Sequence, residues 1–148
     1  VHIIDRVFRA HALRDCDGYM IADFVSDEAL SLMINLEPDV IVHCAGTSLV
    51  GPSMTDPAEY YNNNVVKTIT MLNSVRRLHK PPVILFSSSA SVYGNPDQVP
   101  LFETSPKNPI SPYGFSKLVI EQALKDFYNA YELPSICFRY FNNNFFFT

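Results

Sequence analysis

Pro81-Pro82-Val83-Ile84-Leu85-Phe86-Ser87-Ser88-Ser89 is the stretch from which the rest of the chain is read. Two prolines end whatever helix precedes them, and four apolar residues in a row then read as a strand buried on both faces. Three serines follow at the carboxyl end of that strand. A serine run can be nothing more than a loop, yet the carboxyl ends of buried strands are where open α/β sheets bind ligands. On either side the same grammar repeats. Upstream, Asp56-Pro57 opens a helix expected to run to about Lys80. Downstream, a loop from Asn95 to Pro112 with five prolines leads into a helix capped by Ser111, with Pro112 at its first position, running to about Tyr131.

Further strands fit this frame. Val1-His2-Ile3-Ile4 reads as a buried strand closed by Asp5, and Tyr19-Met20-Ile21-Ala22 as another ending in Asp23-Phe24. Ser26 caps a helix that Pro38-Asp39 ends. Val40-Ile41-Val42-His43-Cys44-Ala45 is almost wholly apolar and is followed by Gly46, and Ser135 to Phe141 forms a last strand. Strands alternating with helices predict an α/β protein with a doubly wound parallel sheet, helices on both faces and no linker between domains.

Composition narrows the function. The 148 residues are 47% hydrophobic and 18% charged, which is globular in character, and the net charge is −4. No basic cluster extends beyond Arg76-Arg77 and Lys80, so nucleic acid is not expected as a partner. No apolar run approaches the ~18–20 residues needed to span a membrane, and the opening residues do not read as a signal peptide. Cys16, Cys44 and Cys137 have neither disulfide-framework nor metal-ligand spacing, which points to core packing, no metal, and a reducing, cytoplasmic setting.

The chemistry concentrates in Ser111-Pro112-Tyr113-Gly114-Phe115-Ser116-Lys117. A helix starting at Pro112 puts Tyr113 and Lys117 one turn apart on one face. A phenol ionises near pH ~10, and an adjacent ammonium favours the phenolate, which can then accept a proton near neutrality. A serine hydroxyl at the end of Val83–Ser89 could hold the same substrate oxygen. Tyr-x-x-x-Lys also occurs by chance in many helices; the strand, serine run and capped helix around it make the catalytic reading the stronger. Asp5 is open to two readings, a ligand for ribose hydroxyls or a solvated strand end. Spacing likewise leaves Asn64 as either a satisfied core asparagine or a cofactor contact.

Taken in order, Asp5, Ala22-Asp23-Phe24, His43-Cys44-Ala45-Gly46, Asp56-Pro57-x-x-Tyr60-Tyr61-x-Asn63-Asn64-Val65, Phe86-Ser87-Ser88-Ser89-Ala90-Ser91-Val92-Tyr93-Gly94, Ser111-Pro112-Tyr113-Gly114-x-Ser116-Lys117 and Arg139-Tyr140-Phe141-Asn142 resemble the extended short-chain dehydrogenase/reductases, the NAD-dependent epimerase/dehydratase family. Within it they are most similar to nucleotide-sugar 4-epimerases of the UDP-glucose/UDP-galactose type. The resemblance implies a Rossmann-like fold and NAD as cofactor. It implies epimerisation at C4 through a transient 4-keto sugar, with Tyr113 as acid/base, Lys117 holding the nicotinamide ribose and Ser89 bonding the substrate oxygen. It further implies that Asp5 binds the adenosine ribose, Asp23 and Phe24 the adenine, and Cys44, Ala45, Gly46, Thr47, Ser48, Asn64 and Phe141 line the NAD. Asn142 matches a residue contacting the nucleotide-sugar. A homodimer through the helices starting near Asp56 and Ser111 is also implied.

Departures matter as much. Sugar-nucleotide dehydratases resemble Thr-Asp-Glu where this chain has Ser89-Ala90-Ser91, so the carboxylates that water elimination requires are missing. Many 4-epimerases resemble a lysine where this chain has Ser48. The glycine-rich turn after the family's first strand has no counterpart, the sequence opens on Val1 inside a strand, and Asn143 to Thr148 do not resemble the family's continuation. Residues 1–148 are therefore expected to be a partial NAD-binding Rossmann domain, without its first βα unit and its C-terminal substrate domain. Two other readings remain: a nucleotide-sugar reductase or another sugar epimerase of the family, and a non-catalytic Rossmann-like fragment or remnant.

Overall fold

The computed structural model describes residues 1–10 and 16–141. Strand β1 (His2–Asp5) pairs in parallel with β2 (Gly18–Ile21), and β3 (Val40–His43), β4 (Val83–Ser89) and β5 (Ser135–Tyr140) form a second parallel sheet in that order. Helix α1 (Asp27–Leu36) joins β2 to β3, and α5 (Pro112–Tyr131) joins β4 to β5. Between β3 and β4 lie α2 (Val50–Ser53), α3 (Pro57–Tyr60) and α4 (Lys67–Val75). Parallel neighbours joined through helices are the α/β architecture expected from the alternation of patterns.

The helix starts follow from local chemistry. Ser26, Asp56 and Ser111 each accept a hydrogen bond from the backbone N–H three residues on, at 3.2, 3.2 and 3.1 Å. Pro57 and Pro112 occupy the first turn, where no N–H is required. Helix α1 ends at Glu37 and α5 at Glu132, both left-handed, with φ of 41° and 56°.

Two expectations are corrected. The helix from Asp56 is interrupted by a six-residue π-helix, Tyr61–Val66, and ends at Val75 rather than near Lys80. The sheet is also divided, because β1 and β3 share no hydrogen bonds. Both line one cavity of about 1060 Å³, with Ile3, Ile4, Val40 and Val42 among its walls.

The core explains which face of the larger sheet is buried. Ile84 and Phe86 of β4 pack with Met33 of α1, Met71, Leu72 and Val75 of α4, and Ile120 and Leu124 of α5. On the opposite face, Val42, Ile136, Phe138 and Tyr140 are exposed, Val42 to 65%. Among the described residues no helix covers that face, so the apolar run at β3, which reads as buried in sequence, is only half so.

Candidate active site

Strand β4 and helix α5 bring the principal candidates together. The strand's pleat sends Phe86 and Ser88 into the helix layer and leaves Ser87 and Ser89 partly accessible. Helix α5 then lays Lys117 alongside, and its Nζ donates to the Ser87 carbonyl at 2.8 Å. The same Nζ stands 4.9 Å from the Phe86 ring centre and 5.9 Å from that of Tyr113, so the ammonium lies beside both rings. Burial pushes the Lys117 ammonium down to about 8, with nearby Cys44 acting weakly in the other direction. Tyr113 is 9% exposed and meets Tyr60 edge-to-face at 6.4 Å. Ser89 ends the strand, and its Oγ accepts from Ser91 N at 3.1 Å, capping the 3₁₀ turn Ala90–Tyr93.

The segment after β3 is held by Asn64. Its Oδ1 accepts from Thr47 N at 2.8 Å, while Nδ2 donates to the Thr47 carbonyl and to Ser116 Oγ, both at 3.0 Å. Both amide hydrogens are thus spent inside the protein. Asn64 thereby joins the Thr47 backbone to Ser116 on α5. The π-helix aims Asn64 inward, a distortion frequent at functional sites. Gly46 sits at φ +147°, and a Cβ there would approach Asn64 Oδ1 to 2.8 Å, so both the turn and its neighbour require glycine. Around it, Cys44 and Ser48 are exposed and Ala45 and Thr47 half-buried.

The large cavity gathers the other candidates at the carboxyl ends of β1, β2 and β3: Asp5, Asp23, Phe24 and the Cys44–Gly46 segment. Asp5 accepts from Val7 N and from Arg9 Nε, both at 3.0 Å, and these bonds hold its carboxyl below the usual range. For Asp23, burial opposes the charge, but Lys67 Nζ at 2.5 Å and the Val25 N–H at 3.2 Å together keep the carboxyl lowered. Lys67 carried no sequence signal, being an ordinary helix residue 44 positions from its partner. Phe24 packs on the His43 ring at 5.2 Å. Phe141 is exposed, and Asn142 lies outside the described residues.

His43 was also not singled out by sequence. It is buried between Phe24 and Phe86 and bonds Thr68 Oγ1 at 2.8 Å. Burial, with help from the Lys117 charge, pushes the imidazole down to about 4. The unfolded chain takes up this proton below about 6.5, the folded protein only below about 4. Stability is therefore expected to fall by up to about 3 kcal/mol as pH drops through that window. Urea midpoints at pH 6.5 and 4.5 should show the slope, and His43→Gln should lack that part of it. Equal slopes in both proteins would contradict the assignment.

The structure is a parallel α/β protein with a cavity at the carboxyl ends of β1, β2 and β3, and with Ser89 on β4 and Tyr113 and Lys117 on α5. Comparison with known proteins agrees on the fold. Residues 19–146 match the family model described as GDP-mannose 4,6 dehydratase. A UDP-glucose 4-epimerase of Halalkalibacterium halodurans is 39% identical over 96% of this chain and 43% of its own length. The structure of UDP-glucose 4-epimerase from Brucella ovis in complex with NAD superposes with a TM-score of 0.88 at 35% identity, covering 95% of this chain and 44% of that one. The enzyme from Bifidobacterium longum, in complex with NAD+ and UDP, gives 0.77 at 37% identity, over 89% of this chain and 40% of that one. The chain belongs to the extended short-chain dehydrogenase/reductases, the NAD-dependent epimerase/dehydratase family. It spans about 43% of the length of the first of these relatives.

Proposed function

We propose that the protein interconverts a nucleotide-sugar, of the UDP-glucose/UDP-galactose type, and its C4 epimer, and that residues 1–148 form part of its NAD-binding Rossmann domain. The observation that carries this reading is the Lys117 ammonium, buried beside Tyr113 and anchored on the strand that delivers Ser89. Tyr113 accepts the proton of the 4-hydroxyl and later returns one. Lys117 lies beside the ring with its Nζ 5.9 Å from the ring centre, and Ser89 hydrogen-bonds the reacting oxygen.

The residues present fit a dinucleotide. Two strand-end carboxylates, Asp5 and Asp23, can accept from ribose hydroxyls and the adenine amine, and both border a cavity that Phe24 and Gly46 also line. Each has a cation beside it, Arg9 and Lys67, that must share or yield the carboxylate when the ligand binds. NAD, when bound, supplies the reversible oxidant for C4.

Within the family, dehydratase and epimerase chemistry separate at positions 90 and 91. Ala90 has no polar group and Ser91 carries a hydroxyl engaged with Ser89 at 3.1 Å, so neither supplies the acid and base that elimination of water needs. This favours epimerisation although the matching family model is described as a dehydratase.

The helices beginning at Pro57 and Pro112 expose Tyr61 and Phe115, which meet edge-to-face at 6.5 Å, and Val66 is exposed nearby. These residues support a homodimer packed through both helices. Three free cysteines support a cytoplasmic, reducing location. Among the described residues no helix is long and apolar enough to cross a membrane.

The test is to give the full natural polypeptide UDP-galactose and follow the sugar by NMR and the cofactor by absorbance at once. Appearance of UDP-glucose without net change in the cofactor is expected. Stoichiometric consumption of added NADPH would establish a reductase instead, and no turnover with any UDP-hexose would remove the epimerase assignment.

A further inference from the structure

Glu121 lies four residues after Lys117 and eight after Tyr113, so all three fall on one flank of α5. Its carboxylate, with a side-chain exposure of only 8%, is filled by three donors. Ser88 Oγ donates at 2.6 Å, Arg139 Nε at 2.9 Å, and Arg139 Nη2 at 2.7 Å to the second oxygen. The guanidinium is then used further: Nη1 donates to the Tyr93 hydroxyl at 2.7 Å and to the Glu103 carbonyl at 3.1 Å. One largely buried ion pair thereby ties α5 to β4 beside Ser89, to β5, to the turn following Ser89, and to the proline-rich loop.

We propose that Glu121 and Arg139 are positioning residues, whose forked contact sets the rotation of α5 and so holds Tyr113 and Lys117 against the serine end of β4. The inference rests on the catalytic reading above for its effect on turnover, but its geometric part stands on the contacts alone. A buried ion pair of this kind adds little net stability compared with apolar packing, whereas a two-point fork is directional and admits one rotation of the helix. Ser88 is held by the fork on one side of the strand while the adjacent Ser87 carbonyl holds Lys117. A slip of α5 therefore has to break both contacts together. Burial opposes the Glu121 charge, yet the bonds from Arg139 and Ser88 keep its carboxyl below the usual range. The fork is thus formed throughout the neutral range.

The experiment compares wild type, Glu121→Gln and the milder Arg139→Lys in the full natural polypeptide. Pulse acetylation at a series of pH values, read by peptide mass spectrometry, gives the titration midpoint of Lys117, with exposed Lys80 as the internal control. Wild type should titrate at about 8. In both variants the Lys117 midpoint should rise by one pH unit or more as α5 turns and the ammonium regains water, with Lys80 unchanged and circular dichroism native. In the same variants kcat should fall at least tenfold with KM within threefold, and the acid limb of the kcat profile should move. An unchanged Lys117 midpoint in folded Arg139→Lys would overturn the proposal, as would activity lost only in step with the folded fraction. A shifted midpoint together with an active Tyr113→Phe would leave the clamp standing and remove the catalytic reading instead.

Discussion

Tyr113→Phe in the full natural polypeptide is expected to lower kcat by ~10²–10⁴-fold, the range contributed by a positioned proton-transfer group. The substitution removes a single hydroxyl. The ring that remains keeps its edge-to-face packing on Tyr60 at 6.4 Å, and the Lys117 bond to the Ser87 carbonyl does not involve it. Thermal stability and NAD content should accordingly match wild type, so that the loss appears in the chemical step. Pre-steady-state turnover of UDP-galactose measures it. Retention of near-normal kcat would sink the role assigned to Tyr113.

Gly94→Ala should be the most damaging change to the fold among small substitutions. Gly94 has φ +64°, and a Cβ there would lie 1.9 Å from the Asn108 carbonyl oxygen, a backbone atom that cannot rotate away. The turn it closes begins at Ser89, and the strand of loop it touches leads directly to Ser111, the cap of α5. Separating them to admit a methyl group breaks the seat of both Ser89 and Tyr113. A loss of more than about 3 kcal/mol is expected by urea unfolding. Gly51→Ala, where nothing lies within 4 Å, is the control and should change stability by less than about 0.5 kcal/mol. Equal midpoints for the two variants would show that the loop around Asn108 yields freely.

Much of the architecture was legible because its signals are short-range. Ser26, Asp56 and Ser111 mark helix starts because each cap acts on an N–H three residues away. The run Val83–Phe86 announces the central strand because four apolar, largely β-favouring residues follow a proline pair that cannot continue a helix. The placement of Tyr113 and Lys117 followed from helical spacing alone. Spacing could not reveal the π-helix at Tyr61–Val66, since the extra residue in that turn is stabilised by what Asn64 reaches: Thr47 and Ser116, the latter 52 positions away. Nor could it show that β1 and β3 remain unpaired or that the Val42 face stays open, because burial of a strand depends on which elements surround it.

By itself, then, the sequence determined the parallel α/β class and the caps that start its helices. Each of these depends on residues within a turn or two of one another. The tertiary structure alone decided which polar groups meet. Lys67 reaches Asp23 across 44 positions, Lys117 the Ser87 carbonyl across 30, His43 Thr68 across 25, and Arg139 Glu121 across 18. A buried charge or amide must find a partner wherever the fold places one, and that choice is made by packing in three dimensions rather than by any local pattern.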